Sequence, residues 1–276
     1  MALESELCLK QAAHERLIGI HFKFIHFMFK IIIVASGNVY QHAAALAAST
    51  FAVHLHVPGT VCVLLPDSEE SSPLLKHCSK DFSFAVERFP FTAKYREKFT
   101  SQLKCQAYAW GTRGLGQNEI ALFADADTCC LQPLQLPMSV TTEILSGRVG
   151  MAPDITDRHI TDPSVPWYLA PEERSVYVNS GVIFASSAAH GFFECVQHLS
   201  EQPRFLTGPL NDQKVINYAL GKHFPGLLVA IERKFNTMGP VCAETVVAHF
   251  AGGAGHLARQ KRGHNHEQMC LRVLSD

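Results

Sequence analysis

"ALFADADTCCLQPL", residues 121–134, is the stretch from which the rest of the chain is read. An apolar run ends at Ala124, and two aspartates follow one residue apart, Asp125 and Asp127. Aspartate is a poor strand former, and two carboxylates beside a core strand repel one another unless something sits between them. On an extended chain, residues i and i+2 point to one side, so both carboxylates face one point in space. Hard oxygen donors so arranged suit Mg²⁺ or Mn²⁺ and the phosphates those ions bridge. The pair is also common by chance, so its neighbours must carry the argument.

Working outward, "KIIIVAS" (30–36), "TVCVLLP" (60–66), "SFAVERFP" (83–90) and "EIALFAD" (119–125) read as strands. "RVGMAPD" (148–154), "VYVNSGVIFAS" (176–186) and "LLVAIE" (227–232) add further β-structure. Helical stretches over 40–55, 94–113, 188–202 and 211–223 separate them. This alternation is the pattern of an α/β domain, whose open sheet binds ligands at the C-terminal ends of its strands. Asp125 and Asp127 lie at such an end. Residues 155–175, rich in proline and acids, read as a mobile loop.

The chain has 276 residues, 47% hydrophobic and 18% charged, with a formal net charge of −1. Its length suits one large α/β unit, and the charge balance excludes a general nucleic-acid binder, which needs a basic face. Nine cysteines, odd in number and including adjacent Cys129 and Cys130, do not form a disulfide framework; they point to buried thiols in a reducing compartment. Residues 17–36 are apolar, but Lys23, Lys30, His21 and His26 interrupt them, and Glu4 and Glu6 open the chain. That argues against a membrane span and against a cleavable signal. The expectation is a cytoplasmic protein with an N-terminal extension over 1–29, a helix at 3–17 followed by β-structure. A core domain over 30–258 and a basic tail over 259–276 complete it. A membrane-anchored or secretory form is the weaker alternative.

Three further stretches carry chemistry. Asn179-Ser180-Gly181 lies inside a strand, where glycine marks close approach by a ligand or another backbone, or else a bulge. Asp212-Gln213 opens a helix; an N-cap role accounts for Asn211 or Asp212 but gives Gln213 no task. His249 ends an apolar run before Ala251-Gly252-Gly253. A lone histidine on an apolar strand is usually a core residue, but beside a D-x-D and a glycine turn the metal-ligand reading is preferred.

In this order the motifs resemble the family-eight retaining glycosyltransferases, the group of glycogenin, galactinol synthase and bacterial lipopolysaccharide galactosyltransferases. "IIIVASGNVYQHAAALAAST", "VCVLLPDSEE", "LFADADTCCLQPL", "MAPD", "YVNSGVIFAS", "NDQKVIN" and "VVAHFAGG" are similar to successive blocks of that family across residues 31–256. The resemblance implies a GT-A fold, a single Rossmann-like domain with a mostly parallel mixed sheet flanked by helices. It implies Mn²⁺ or Mg²⁺ on Asp125, Asp127 and His249, and Asp212 and Gln213 as the catalytic pair beside the anomeric carbon of the donor. Ser36, Tyr40, Lys104, Ala126, Asp154, Asn179, Ser180, Gly181 and Gly252 are implied to bind a nucleotide diphosphate sugar, by default a UDP-sugar. A hexose would pass to an acceptor hydroxyl with retention. Gln213 is a neutral amide and a poor nucleophile, so front-face attack is the implied route.

The chain departs from the pattern after His249. Where family members carry a phosphate-binding lysine, this chain has Gly255, with His256, Arg259, Lys261 and Arg262 following. The lysine before the D-x-D is matched loosely, by Lys104 first and Arg96 second. A reading of another class is therefore kept, a catalytically silent protein of the same fold that holds a sugar nucleotide or glycan. A different metal-dependent transferase on this fold is a third. A nucleotidyltransferase is disfavoured, because no glycine-rich phosphate loop with a following lysine lies near residue 37. Donor sugar, acceptor and oligomeric state, a homodimer included, are not written in the sequence.

Overall fold

The structure is a computed structural model, and it describes residues 27–94, 99–154, 177–205, 211–250 and 256–275. The first half runs β1 (Met28–Val34), α1 (Gly37–His54), β2 (Gly59–Pro66), α2 (Pro73–Asp81), β3 (Ala85–Phe89), α3 (Phe99–Arg113), β4 (Glu119–Ala124) and β5 (Thr128–Cys130). The second runs α4 (Met138–Leu145), β6 (Val149–Pro153), β7 (Val178–Ser186), α5 (His190–Ser200), α6 (Asn211–Lys222), β8 (Leu228–Ala230), β9 (Val247–His249) and α7 (His256–Ser275).

Seven strands form one sheet in the order β3-β2-β1-β4-β7-β6-β8, and β5 pairs with β9 in a separate ribbon. β1 is parallel to both β2 and β4, and its residues Ile31, Ile32 and Ile33 are fully buried, as a central strand covered on both faces requires. The chain leaves β1 toward β2 and β3 on one side and returns to β4 on the other. That is a switch point, where crevices open above the strand ends. β7 runs antiparallel between β4 and β6, so its first residues lie beside the last residues of both. Val182 pairs with Ala124, and Val178 with Pro153. This antiparallel insertion carries Asn179, Ser180 and Gly181 to the mouth of the switch point.

The sheet is held from both faces. On one, Ala44, Ala45, Ala47, Ala48 and Phe51 of α1 pack on Ile31, Ile33 and Val63. On the other, Tyr108, Phe123 and Phe193 form a ring cluster with centroids 5.0 to 5.8 Å apart. Such pairs add about 0.5–1.5 kcal/mol each beyond their buried area. They hold β4 against α3 and α5, which fixes the strand from which Asp125 and Asp127 follow.

The expected α/β class and GT-A-type arrangement are the ones observed. The helix expected over 3–17 and the loop expected over 155–175 lie outside the described residues. β1 begins at Met28, inside the segment expected to be an extension. The C-terminal stretch differs from expectation. Instead of a basic tail, residues 259–275 continue α7, which packs on α1. His266 and Cys270 are buried, and Met269, Cys270 and Val273 share a small core with Leu46, Cys129 and Leu131. The small side chains of α1 let the second helix approach, and the basic residues drew the sequence reading away from this apolar spacing. Eight cysteines among the described residues are free thiols, six of them buried. Among the described residues, no helix is long and apolar enough to cross a membrane.

Candidate metal and donor site

Asp125 and Asp127 follow β4, and His249 ends β9. The β5–β9 ribbon sets Thr128 opposite His249, which brings the histidine back over the aspartates. The Phe250 N–H donates to the Asp127 carbonyl at 2.9 Å, closing the connection. The three side chains offer ligand atoms that all lie within 4.8 Å of one another. His249 Nε2 is 3.6 Å from Asp125 Oδ2 and 3.5 Å from Asp127 Oδ1. Two carboxylates and an imidazole facing one point are a hard, anionic donor set that fits Mn²⁺ or Mg²⁺.

Gly181 is explained by this packing. A β-carbon there would lie 2.0 Å from His249 Cε1, so the ring of the histidine occupies the space a side chain would need. The close approach expected from glycine in a strand is real, but it is made by an imidazole. The Asp125 N–H donates to the Gly181 carbonyl at 2.9 Å, so the same residue also anchors the aspartate loop.

Lys104 of α3 lies 2.7 Å from both Asp125 Oδ1 and Asp212 Oδ2. The ammonium thus joins one expected metal ligand to one expected catalytic residue. Ser180 Oγ also donates to Asp212 Oδ2, at 2.9 Å. Asn179 Nδ2 donates to Gln213 Oε1 at 3.0 Å, and Gln213 Nε2 donates to Asp154 Oδ2 at 2.7 Å. Gln213 is 2% exposed and both ends of its amide are engaged. In this arrangement it braces Asn179 and Asp154, whereas the resemblance had it facing a donor sugar.

Charge separates the two aspartates. Burial pushes the Asp125 carboxyl up, Lys104 and His249 oppose it, and the neighbouring Asp127 and Asp212 reinforce it; the net direction is upward. For Asp127, burial is outweighed by the hydrogen bond and charge of His249, helped by His266 and Lys104, and its carboxyl is held down at about 2. Burial alone would lower His249, but Asp127 and then Asp125 raise it above the ordinary 6.5. Lys104 is raised well above its ordinary value: burial opposes this, and the two aspartates prevail. In metal-free form the cluster thus favours a cationic ring between two carboxylates, the place a divalent ion would take.

Ser36 and Tyr40 stand elsewhere, at the junction of β1 and α1. Gly37 there has φ of +75°, a left-handed turn that glycine adopts without strain. Its N–H donates to Glu69 Oε2 at 2.8 Å, Ser36 Oγ donates to Glu69 Oε1, and Gln41 Nε2 reaches Glu69 Oε2 at 3.3 Å. A carboxylate at a helix start is favourable, because the helix dipole and free N–H groups face it. Tyr40 is 51% exposed. Ala126 is buried between the two aspartates. Gly252, Gly255 and Arg96 lie outside the described residues, and α7 begins at His256, so Arg259, Lys261 and Arg262 sit on its first turns.

Sequence reasoning missed three residues. Asn236, which follows a short 3₁₀ turn at Arg233–Phe235, is 2% exposed and bonded to both Asn179 and His249. Glu69 organises the β1–α1 junction. His266 of α7 lies with Nε2 2.9 Å from the Thr128 carbonyl, under the aspartate loop. No local signal marked Asn236, which follows Arg233, Lys234 and Phe235; for His266 the signal was its helical spacing with Cys270.

No family model matches the sequence, and a search of curated proteins returns no match. Solved structures do match. The galactosyltransferase LgtC, in complex with donor and acceptor sugar analogs, is 15% identical, with a TM-score of 0.61 over 88% of this chain and 95% of that one. An active-site glutamine-to-glutamate mutant of LgtC gives 14% identity and a TM-score of 0.60 over the same shares. The bifunctional glycosyltransferase WbbM, in its apo structure, is 12% identical with a TM-score of 0.57, covering 90% of this chain and 51% of that one. This chain has the fold of those proteins.

Proposed function

We propose that the chain is a metal-dependent glycosyltransferase that moves a hexose from a nucleotide diphosphate sugar, by default a UDP-sugar, to an acceptor hydroxyl with retention. The observation that carries this reading is the convergence of Asp125, Asp127 and His249 at the switch point of the sheet. The shared fold with LgtC, solved with sugar donor and acceptor analogs, supports it.

Asp125, Asp127 and His249 would hold Mn²⁺ or Mg²⁺, whose chemistry there is Lewis-acid neutralisation of charge on a diphosphate leaving group. Ser36 and Tyr40 would receive the nucleoside at the exposed β1–α1 junction. Asp154, Asn179 and Ser180, lined up across β6 and β7, would bind sugar hydroxyls. Asp212, kept ionised by Lys104 and the Ser180 hydroxyl against the pull of burial, would face the developing positive charge at the anomeric carbon. Gln213 would hold Asn179 and Asp154 in register beneath the sugar. Gln213, a neutral amide, is a poor nucleophile, so attack from the leaving-group face is the route we assign.

The engaged state of Gln213 favours a second reading, a silent protein that binds a sugar nucleotide without turning it over. One assay separates the two. The purified chain is incubated with a panel of nucleotide sugars and Mn²⁺, and free nucleoside diphosphate is measured. The transferase reading expects Mn²⁺-dependent release from at least one donor, lost in Asp125→Ala. Nucleotide binding without release across the panel would favour the silent binder.

A further inference from the structure

Gly181, Asn179, Asn236 and His249 form one line of hydrogen bonds, and its direction is set at one end. The backbone N–H of Gly181 only donates, and its acceptor 2.8 Å away is Asn179 Oδ1. That fixes which end of the Asn179 amide is oxygen. The Asn236 amide approaches the same oxygen at 2.9 Å, so the atom it presents is Nδ2. The opposite end of Asn236 is then Oδ1, and it lies 2.9 Å from His249 Nδ1. A carbonyl oxygen only accepts, so Nδ1 carries the ring proton of the neutral imidazole. Nε2 is left with its lone pair, on the side of Asp125 and Asp127.

We propose that Asn179 and Asn236 are positioning residues that hold His249 in its Nδ1–H tautomer, so that the third metal ligand is aimed before any cation arrives. The proposal rests on the metal reading given above and extends it to two residues that do not themselves ligate the metal. Asn179, Asn236 and His249 are each 6% exposed or less, so water does not stand in for a lost partner. Their polarity is inherited from one backbone amide on β7, and no side chain along the line is free to turn over alone. The relay also forks. Asn179 Nδ2 donates to Gln213 Oε1, so the amide that orients the metal ligand also orients the residue beneath the proposed sugar site. A metal ligand on β9 and a donor-side residue on α6, 36 positions apart in sequence, are aligned through two asparagines, Asn236 and Asn179.

The direction of the line makes the proposal testable apart from the need to satisfy buried polar groups. Asn179→Asp keeps the oxygen that accepts from Gly181 and Asn236, while it replaces the donor to Gln213 by an acceptor and adds a charge. Asn236→Leu keeps the volume and removes the acceptor on His249 Nδ1. The tautomer is read in long-range proton–nitrogen correlation spectra of metal-free protein carrying isotope-labelled histidine, at a pH about three units above the ordinary imidazole value. His249→Gln identifies the ring by subtraction. Mn²⁺ affinity is measured separately by calorimetry.

The relay predicts a pure Nδ1–H ring in the wild-type protein and in Asn179→Asp. In Asn236→Leu it predicts a mixed or reversed tautomer and Mn²⁺ affinity lower by about 10- to 100-fold, the range for lost outer partners of a histidine ligand. An Nε2–H ring in the wild-type protein overturns the proposal even where a variant fails to fold. So does a folded Asn236→Leu with unchanged tautomer and affinity. An Nδ1–H ring that Asn236→Leu abolishes, in a wild-type protein that takes no Mn²⁺, supports the relay and overturns the metal reading instead.

Discussion

Where β4 meets β7 and β9, the polar side chains are buried or half-buried and answer one another; where β1 meets α1, a few gather around one carboxylate, with Gln41 buried and Tyr40 at the surface. On the first side, Asp125, Lys104, Asp212, Ser180, Asn179, Asn236 and His249 form a continuous network drawn from α3, α6, β7, β9, the loop after β4 and the turn before β9. On the second, Ser36, Gly37 and Gln41 share Glu69, and Tyr40 is half exposed. A buried network is built at folding and keeps its geometry, since each unsatisfied group would cost about 1–3 kcal/mol. The exposed Tyr40 makes no such demand and is left for a ligand to complete. Changes on the first side should therefore move both stability and binding, and changes on the second should move binding alone.

The largest expected effect is on the first side. Asp125→Ala should reduce Mn²⁺-dependent release of nucleoside diphosphate to background, with the fold retained because Lys104 keeps Asp212 as a partner. Circular dichroism and the release assay together check this; retained metal-dependent turnover would break the contrast at its stronger end.

Next is Gly181→Ala. The added carbon would fall within the His249 ring, so the imidazole or β7 must shift. Overpacking of this kind costs about 1–3 kcal/mol, and denaturant unfolding of the metal-free protein measures it. Mn²⁺ affinity should fall in the same variant. A stable protein with normal affinity would mean that the ring has another place to go.

Acidity gives a third test. The His249 value is raised above 6.5 in the metal-free protein, so its imidazolium contributes stability that is fully present below 6.5 and is lost as pH rises through the raised value. A cation must displace that proton, so Mn²⁺ affinity should climb with pH above 6.5 and level off once the ring is neutral. His249→Gln should flatten this part of the profile. Asp127, held down at about 2, adds no dependence in this range.

The smallest effect belongs to the second side. Tyr40→Ala should weaken binding of free UDP by about 1 kcal/mol or more, the low end for a base on an aromatic ring, and leave Mn²⁺ binding and Tm unchanged. Calorimetry with UDP checks it, and equal affinity would remove Tyr40 from the proposed nucleoside site.

What was legible in the sequence follows the same division. The apolar runs of β1, β4 and β7 were readable because a buried strand must be apolar, and the aspartates because carboxylates there have no core role. His249 was readable from the glycines that follow it. Asn236 was not, because its partner Asn179 is 57 residues away and neither position carries a period or spacing that marks the pair. Gly181 was noticed for the right reason, a close approach, but only the fold says that the approaching group is His249. Lys104 was placed near the site from a loose motif, whereas its two carboxylate partners depend on how α3 and α6 meet β4. The basic charges of 259–262 concealed a helix whose apolar spacing, read alone, fits α1.

The central claim is that Asp125, Asp127 and His249 form one divalent-cation site, and Asp127→Asn tests it most directly. Asparagine keeps the shape of the side chain and removes the ionised ligand at a position whose side chain is 38% exposed, so the fold should tolerate it. Calorimetric titration of wild type and variant with Mn²⁺ should give one site per chain in the wild type and an affinity at least about tenfold weaker in Asp127→Asn, the metal-free variant folding but melting lower because its charge pair with His249 is lost. Equal Mn²⁺ affinity in the two proteins would contradict the account.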